Sequence, residues 1–191
     1  IYIEESADVT VRNSRVWHGQ NALCLDRVKG SKIYDNDFSF NSGWGIALWR
    51  CSSNVISRNA VDFCVRGYSH GVYNRGQDSA GIFAFEQNNQ NVFAENSVTH
   101  GGDGFFGFAG REALGEVGDH PVEWYKRRGN SDNLLVGNDF SYAPAHGIEN
   151  TFSFGNRYLK NRIVGNAICG VWAGYSRETL IAGNDFEGNG E

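Results

Sequence analysis

The hexapeptide Asn133-Leu-Leu-Val-Gly-Asn138 decides the fold, because close copies of it recur along the chain. The other copies are Asp8–Asn13, Ser31–Asn36, Asn54–Asn59, Asn91–Asn96, Asn161–Asn166 and Thr179–Asn184. Each copy begins with Asn, Asp, Ser or Thr, whose side chains close local turns, and each ends with Asn. An apolar residue stands two positions after the final Asn in every copy but the first, where Arg15 takes that place. We predict that the recurrent Asn side chains stack into a ladder.

A second element alternates with the hexapeptide and begins with Gly followed by an apolar residue. Its copies are Gly45-Ile46, Gly81-Ile82, Gly104-Phe105, Gly147-Ile148 and Gly170-Val171, with Ala22-Leu23 as an imperfect first copy. The two elements together give a repeat of about 23 residues. Longer separations place two insertions, at about 62–80 and 109–130, and the spacing around Asn166 is also irregular.

A repeat of this length with short apolar segments indicates coils of short strands, each stacked on the next at about 4.8 Å. The pattern resembles the right-handed parallel β-helix superfamily, the pectin-lyase-like fold. We therefore predict an all-β parallel β-helix solenoid of six to seven coils that forms a single domain over residues 1–191. Both ends fall within coils, so we expect the chain to be part of a longer β-helix whose remaining coils pack against it.

Composition excludes several classes of protein. The net charge of −5 argues against a general nucleic-acid binder, and no apolar run is long enough to insert in a membrane. The 25 Gly and 20 Asn disfavour helical bundles. The four cysteines, Cys24, Cys51, Cys64 and Cys169, permit two disulfides or four free thiols. No cofactor and no metal site are predicted.

The Gly-initiated strands should present an aromatic outer face. The resemblance implies that polysaccharide binds in a groove along such a sheet. The outward side chains on this face are Trp49, Phe83, Phe85, Phe106, Phe108 and Trp172. Either the insertions cover these rings as a satellite core, or the rings form a platform on which sugars stack. The insertions should wall the groove and supply cations to it, from Arg66 and Arg75 in the first and Arg111 in the second.

The candidate catalytic groups are Asp103, His146, Glu149 and Glu86. Asp103 and His146 each precede a Gly-initiated strand, so we expect them to be neighbours in adjacent coils. An ionised Asp103 beside His146 should raise the pKa of the imidazole. A glycoside hydrolase needs two carboxylates, whereas a lyase or epimerase needs a base and a cation for the substrate carboxylate. The Asp-Pro-His motif of mannuronan epimerases is absent from the sequence.

These observations predict a secreted or periplasmic carbohydrate-active protein that acts on a polysaccharide or oligosaccharide. The reaction is that of a hydrolase or of a lyase or epimerase. The alternative is a non-catalytic β-helix segment that binds glycan or has a structural role in a surface protein. The fold alone does not choose between these classes, because β-helices host both.

Overall fold

The computed structural model describes residues 1–67, 79–126 and 128–190. Within these ranges the chain forms 16 strands and two four-residue helices. In chain order they are β1 (Tyr2–Glu4), β2 (Thr10–Arg12), β3 (Leu23–Asp26), β4 (Lys32–Tyr34), β5 (Trp44–Trp49), β6 (Val55–Ser57), β7 (Ala80–Phe85), β8 (Val92–Ala94), β9 (Asp103–Phe108), α1 (Gly110–Ala113), α2 (Val122–Tyr125), β10 (Leu134–Val136), β11 (His146–Asn150), β12 (Arg157–Leu159), β13 (Arg162–Val164), β14 (Cys169–Trp172), β15 (Leu180–Ala182) and β16 (Asp185–Glu187).

The strands form a parallel β-helix of seven coils. The first sheet has the order β1-β3-β5-β7-β9-β11-β14, and the second has the order β2-β4-β6-β8-β10-β12-β15. On a third face, β13 pairs with β16 and extends a row of single bridges through Asp37, Ala60, Ser97 and Asp139. Neither helix in the described residues is long enough to cross a membrane. The predicted solenoid and its coil count are confirmed.

Columns of apolar side chains fill the interior of the coils. Ile46, Ile82, Phe105 and Ile148 occupy matching positions in neighbouring strands of the first sheet and are fully buried. The residues two positions after the ladder Asn, such as Phe140, complete the core from the third face. A single coil cannot bury its apolar side alone, so the core exists only because the coils stack.

The predicted Asn ladder is present. The Oδ1 atom of Asn96 accepts hydrogen bonds from the backbone N–H and the side-chain amide of Asn59, each at 3.0 Å. The Nδ2 atom of Asn96 donates to the Ile56 carbonyl at 3.0 Å and to Asn138 Oδ1 at 2.9 Å. Asn138 continues the ladder to Asn161. Each buried amide therefore joins three consecutive coils.

The sixth copy of the hexapeptide was assigned wrongly as Asn161–Asn166. The structure pairs β10 with β12, so the sixth copy is Asn156–Asn161, and Ile163 is the buried apolar residue that follows it. Asn166 belongs to a neighbouring ladder with Asn189. Both frames end in Asn followed by Ile two positions later, so the local pattern did not distinguish them. When Asn161 is taken as the last residue of the sixth copy, the spacing between the two repeated elements matches that of the other coils.

The first copy was also misplaced, by one residue. Ser14 rather than Asn13 stands below Asn36, and its N–H donates to Asn36 Oδ1 at 3.0 Å. Val16 then lies two positions after Ser14, where the other coils have their apolar residue. The apparent exception at Arg15 came from the wrong frame, and the first coil follows the common pattern.

The cysteines form no disulfide. All four cysteines lie in the described residues, with Cys51 and Cys64 buried and Cys24 and Cys169 half-buried. Burial raises the pKa of Cys51 and of Cys64 to about 11. Of the two sequence-based alternatives, the free thiols are correct, and the coils are held by packing and hydrogen bonds.

Candidate functional site

The outer face of the first sheet is aromatic, as the strand alternation predicts. Trp49 and Trp172 have 45% and 47% of their surface exposed, and Phe108 is also exposed. Phe85 and Phe106 are half-buried in the same face. Phe83 is only 8% exposed. The described part of the chain thus leaves three of the six predicted rings open to solvent.

Phe83 is covered because Trp44 stacks on it, with ring centroids 4.4 Å apart and an interplanar angle of 16°. Sequence reasoning missed Trp44 as a member of this face. A signal was available, because Trp44 precedes Gly45 in the same way as Asp103 precedes Gly104. The register places Trp44, Ala80, Asp103 and His146 in one column across the sheet.

The described residues of the insertion at 109–130 lie beside the sheet rather than over its aromatic face. The insertion leaves the carboxyl end of β9 and lies beside Phe152, Phe154 and Tyr175, which follow the carboxyl ends of neighbouring strands. Lys126 of this insertion also reaches Glu178 at 3.4 Å. This insertion therefore stands at one edge of the sheet, as expected for a groove wall. Residues 68–78 of the other insertion lie outside the described residues.

Glycine as the second residue of β9 and of β11 brings two separated positions of each strand onto the outer face. A Cβ added at Gly104 would lie 3.1 Å from the buried Phe140 and 2.5 Å from the Gly147 carbonyl, so this position faces the core. Phe105 next to it is also fully buried. Because two consecutive residues face inward, the residues on either side of them share the outer face. The same arrangement in β11 places His146 and Glu149 side by side.

Asp103, His146 and Glu149 form one tight cluster at the amino-terminal ends of β9 and β11. Asp103 Oδ1 lies 3.0 Å from His146 Nδ1 and accepts the backbone N–H of His146 at 2.8 Å. Glu149 Oε2 lies 3.1 Å from the same Nδ1. An ionised carboxylate only accepts hydrogen bonds, so Nδ1 carries a proton, and the two carboxylates share this proton. The Trp172 ring lies beside the imidazole, with centroids 5.1 Å apart.

The cluster favours a charged imidazole. The side chains of Asp103, His146 and Glu149 are 11%, 10% and 15% exposed. Burial alone would lower the pKa of His146, but the hydrogen bonds and negative charges of Asp103 and Glu149 outweigh it and raise the pKa to about 9. This direction agrees with the prediction for His146 beside an ionised Asp103. The imidazole is therefore protonated at neutral pH.

The same three side chains are close enough to share a divalent cation, since their ligand atoms lie within 4.8 Å of one another. Binding through Nδ1 would require that nitrogen to lose its proton. A cation and the proton shared by the carboxylates therefore exclude each other. In this structure both carboxylates contact Nδ1 directly, at 3.0 Å and 3.1 Å.

Glu86 does not join this cluster. It follows the carboxyl end of β7, whereas Asp103 opens β9 at its amino end, so the length of a strand separates them. Glu86 instead forms an ion pair with Arg50 at 2.8 Å. The expectation that Glu86 lies among the catalytic groups is wrong, because its position in the coil places it at the opposite edge of the sheet.

The two candidate arginines in the described residues lie apart from each other. Arg111 forms an ion pair with Glu116 inside its own insertion, at 3.3 Å. The backbone N–H of Arg66 donates to Ser79 Oγ at 3.0 Å, near the start of β7. Arg75 lies outside the described residues. The structure thus brings three of the four candidate catalytic residues together and places Arg111 away from them, in the 109–130 insertion.

Comparison with known proteins supports the fold. No curated protein matches the chain. The crystal structure of a double mutant of AlgG, a periplasmic alginate epimerase, has a TM-score of 0.67 to this chain at 19% identity. The match covers 95% of this chain but 35% of AlgG, so the chain spans about a third of that enzyme's length, and identity this low shows only a shared fold. The family model for the right handed beta helix region matches residues 1–189, and the chain belongs to this family of right-handed β-helix proteins.

Proposed function

We propose that this protein is a polysaccharide lyase or epimerase in which His146 transfers a proton at a sugar carbon. The observation that carries the proposal is the clamp on His146, whose Nδ1 is held by Asp103 at 3.0 Å and Glu149 at 3.1 Å. The clamp fixes the proton on Nδ1 and leaves Nε2 as the nitrogen that exchanges a proton with the substrate. The two carboxylates stabilise the imidazolium that forms when His146 takes up that proton.

Hydrolysis fits the cluster less well. An inverting glycosidase keeps its carboxyl groups about 6.5–9.5 Å apart so that a water molecule fits, whereas oxygens of Asp103 and Glu149 lie within 4.8 Å. A retaining enzyme uses a separation of about 5–5.5 Å, but the sugar must lie between its carboxyl groups. Here the imidazole of His146 occupies that place. Neither carboxylate is free to donate a proton to a glycosidic oxygen.

Proton transfer at carbon requires a sugar whose C–H is acidified by a neighbouring carboxylate, so the proposed substrate contains uronate residues. Neutral His146 removes the C5 proton, and the electron pair left behind moves into the adjacent carboxylate. In a lyase the C4–O bond then breaks, the leaving O4 oxygen takes a proton from the His146 imidazolium or from water, and an unsaturated sugar remains. In an epimerase a proton from water is delivered to the opposite face of C5, and the imidazolium releases its own proton to solvent. The base must be neutral, so activity should rise with pH towards the pKa of about 9.

The surroundings of the cluster support a polymeric substrate. Exposed aromatic rings on the same sheet, including Trp49 and Phe108, offer flat surfaces for the C–H faces of sugars. The structurally similar AlgG is an alginate epimerase of the periplasm. We accordingly propose that this chain also acts outside the cytoplasm, in the periplasm or after secretion. The further coils of a longer chain would extend the groove.

The proposal is tested by incubating the protein in D₂O with polymannuronate, polyguluronate, polygalacturonate, mixed uronate polymers and heteropolysaccharides that contain both neutral and uronate sugars. A lyase product is detected by its ultraviolet absorbance, and epimerisation by deuterium that enters C5. We expect one of these signals from the wild type and its loss in His146→Gln. The matched control is His18→Gln, at an exposed histidine in the first coil. Turnover that survives His146→Gln, or no product from any polymer, would contradict the proposal.

A second candidate function is glycan binding without catalysis. One observation favours it: the three side chains of the cluster are at most 15% exposed, while Trp49 and Trp172 are nearly half exposed. In that case the charged imidazole would serve to hold adjacent coils together. Affinity electrophoresis in polysaccharide gels separates the two functions, because a binding protein is retarded without consuming the polymer.

A further inference from the structure

A cavity of about 590 Å³ opens on the first sheet, away from the His146 cluster. It lies over the first coils of the solenoid, and its lining includes Tyr2, Cys24, Trp44, Ala47, Trp49 and Phe83. The register aligns Ala47 with Glu149 through Phe83 and Phe106, which is three coil steps. At about 4.8 Å per step, the cavity lies ~14 Å along the sheet from the cluster.

The cavity exists because two side chains in the outer column are small. Tyr2, Cys24, Ala47 and Phe83 follow one another in this column. Cys24 and Ala47 form the floor, and the aromatic residues of the column stand at its two ends. The sides are closed by Trp44 and Trp49 from the two ends of β5. The result is a box bordered by aromatic side chains, with Trp44 stacked on Phe83, and with a floor of small side chains, which suits a ring with apolar C–H faces.

Two ion pairs border the carboxyl-terminal side of the cavity. Asp26 lies 3.1 Å from Arg27, and Glu86 lies 2.8 Å from Arg50. These four charges line the cavity and sum to zero.

Arg27 is shared more widely, because it also pairs with Glu4 at 2.9 Å and Glu5 at 3.1 Å. Both arginines that line the cavity are thus already paired with carboxylates. Neither is left to hold the carboxylate of a uronate sugar, whereas the hydroxyl groups of an uncharged sugar can donate hydrogen bonds to the acidic side chains.

We propose that this cavity binds an uncharged sugar residue of the same polysaccharide whose uronate residue reaches His146. The inference rests on the proposed function, because it takes the polymer on this sheet to be a glycan. It narrows the substrate class to heteropolysaccharides that contain both neutral and uronate residues. The chain of the polymer then runs along the solenoid axis, from the Trp44–Trp49 box over Phe83 and Phe106 to Trp172.

The test compares binding by the wild type and by two cavity variants on an array of neutral, uronate and mixed oligosaccharides. Ala47→Phe fills the floor with a ring, as Phe83 does one coil later, and Trp49→Ala removes an exposed wall. The matched controls are Ala182→Phe, at an exposed alanine of the last coil, and Trp17→Ala, at an exposed tryptophan on another face. Affinities for the bound oligosaccharides are then measured by isothermal titration calorimetry.

We expect the wild type to bind mixed or neutral oligosaccharides, with affinity at least tenfold weaker in both cavity variants and unchanged in both controls. Binding confined to pure uronate oligosaccharides, no binding to any glycan, or equal affinity in wild type and cavity variants would overturn the inference. If Ala47→Phe and the wild type turn over uronate residues equally on every polymer, the inference about the cavity is wrong, but the proposed reaction at His146 is unaffected. Cavity-dependent binding without turnover of any polymer would overturn the proposed reaction alone.

Discussion

Replacement of Asn96 by alanine should destabilise the solenoid strongly. The substitution removes four buried hydrogen bonds: two that Asn59 donates to Asn96 Oδ1, and two that Asn96 Nδ2 donates to Ile56 and Asn138. The backbone N–H of Asn59 is left without its acceptor in a buried position. A stranded buried N–H costs about 1–3 kcal/mol, and each further bond contributes about 0.5–1.5 kcal/mol. One stranded N–H and three further bonds together give an expected loss of about 2.5–7.5 kcal/mol in the free energy of unfolding.

The matched control is Asn184→Ala at the last coil of the same ladder. Asn184 accepts the same two bonds from Asn161 and donates one to the Tyr158 carbonyl, but it is only half-buried. Water can replace these bonds there, so we expect a smaller loss of about 0.5–1.5 kcal/mol. Urea unfolding followed by circular dichroism measures both variants. If Asn96→Ala costs no more than Asn184→Ala, the buried ladder does not stabilise the coils as argued.

Three further outcomes follow from the structure. Gly104→Ala should lower stability by about 1–3 kcal/mol, because its Cβ would meet the core, while Gly67→Ala has open space and should be neutral in the same urea titration. The pKa of His146 is about 9 in the folded protein against 6.5 in the unfolded chain, so its stabilisation is complete below pH 6.5 and is lost as pH rises through about 9. The Tm of the wild type should therefore fall between pH 6.5 and about 9, as thermal unfolding measures it. A Tm that does not change over this range would contradict the stabilisation by His146. The thiols of Cys51 and Cys64 should resist a thiol reagent at pH 8 until urea is added, and rapid labelling of all thiols in the native protein would contradict their burial.

The fold could be predicted from the sequence because the same physical need recurs in each coil. A buried turn requires a side chain that satisfies backbone groups of its neighbours, and Asn meets this need at positions such as Asn59 and Asn138. The sequence does not show which of Asn161 and Asn166 ends the sixth copy of the hexapeptide, because each is followed by Ile two positions later. The hydrogen-bond register decides between them, and that register depends on the neighbouring coil rather than on the local pattern.

The site could be predicted in part. Equivalent positions in consecutive coils must be neighbours, which identified Asp103 and His146 as a pair. The position of Glu86 was not predicted correctly. Glu86 belongs to the coil next to Asp103, but it follows the end of its strand, whereas Asp103 opens its own strand. The cavity was not predicted, because it arises from missing bulk at Cys24 and Ala47 rather than from a reactive side chain.

The most direct test of the account is an NMR titration of the His146 imidazole in the wild type, Asp103→Asn and Glu149→Gln. The clamp predicts a pKa of about 9 in the wild type and a lower pKa in each variant, because each substitution removes one of the two charges beside Nδ1. A wild-type His146 that titrates near 6.5, or a His146 pKa that neither substitution lowers, would contradict the clamp and the proton-transfer role built on it.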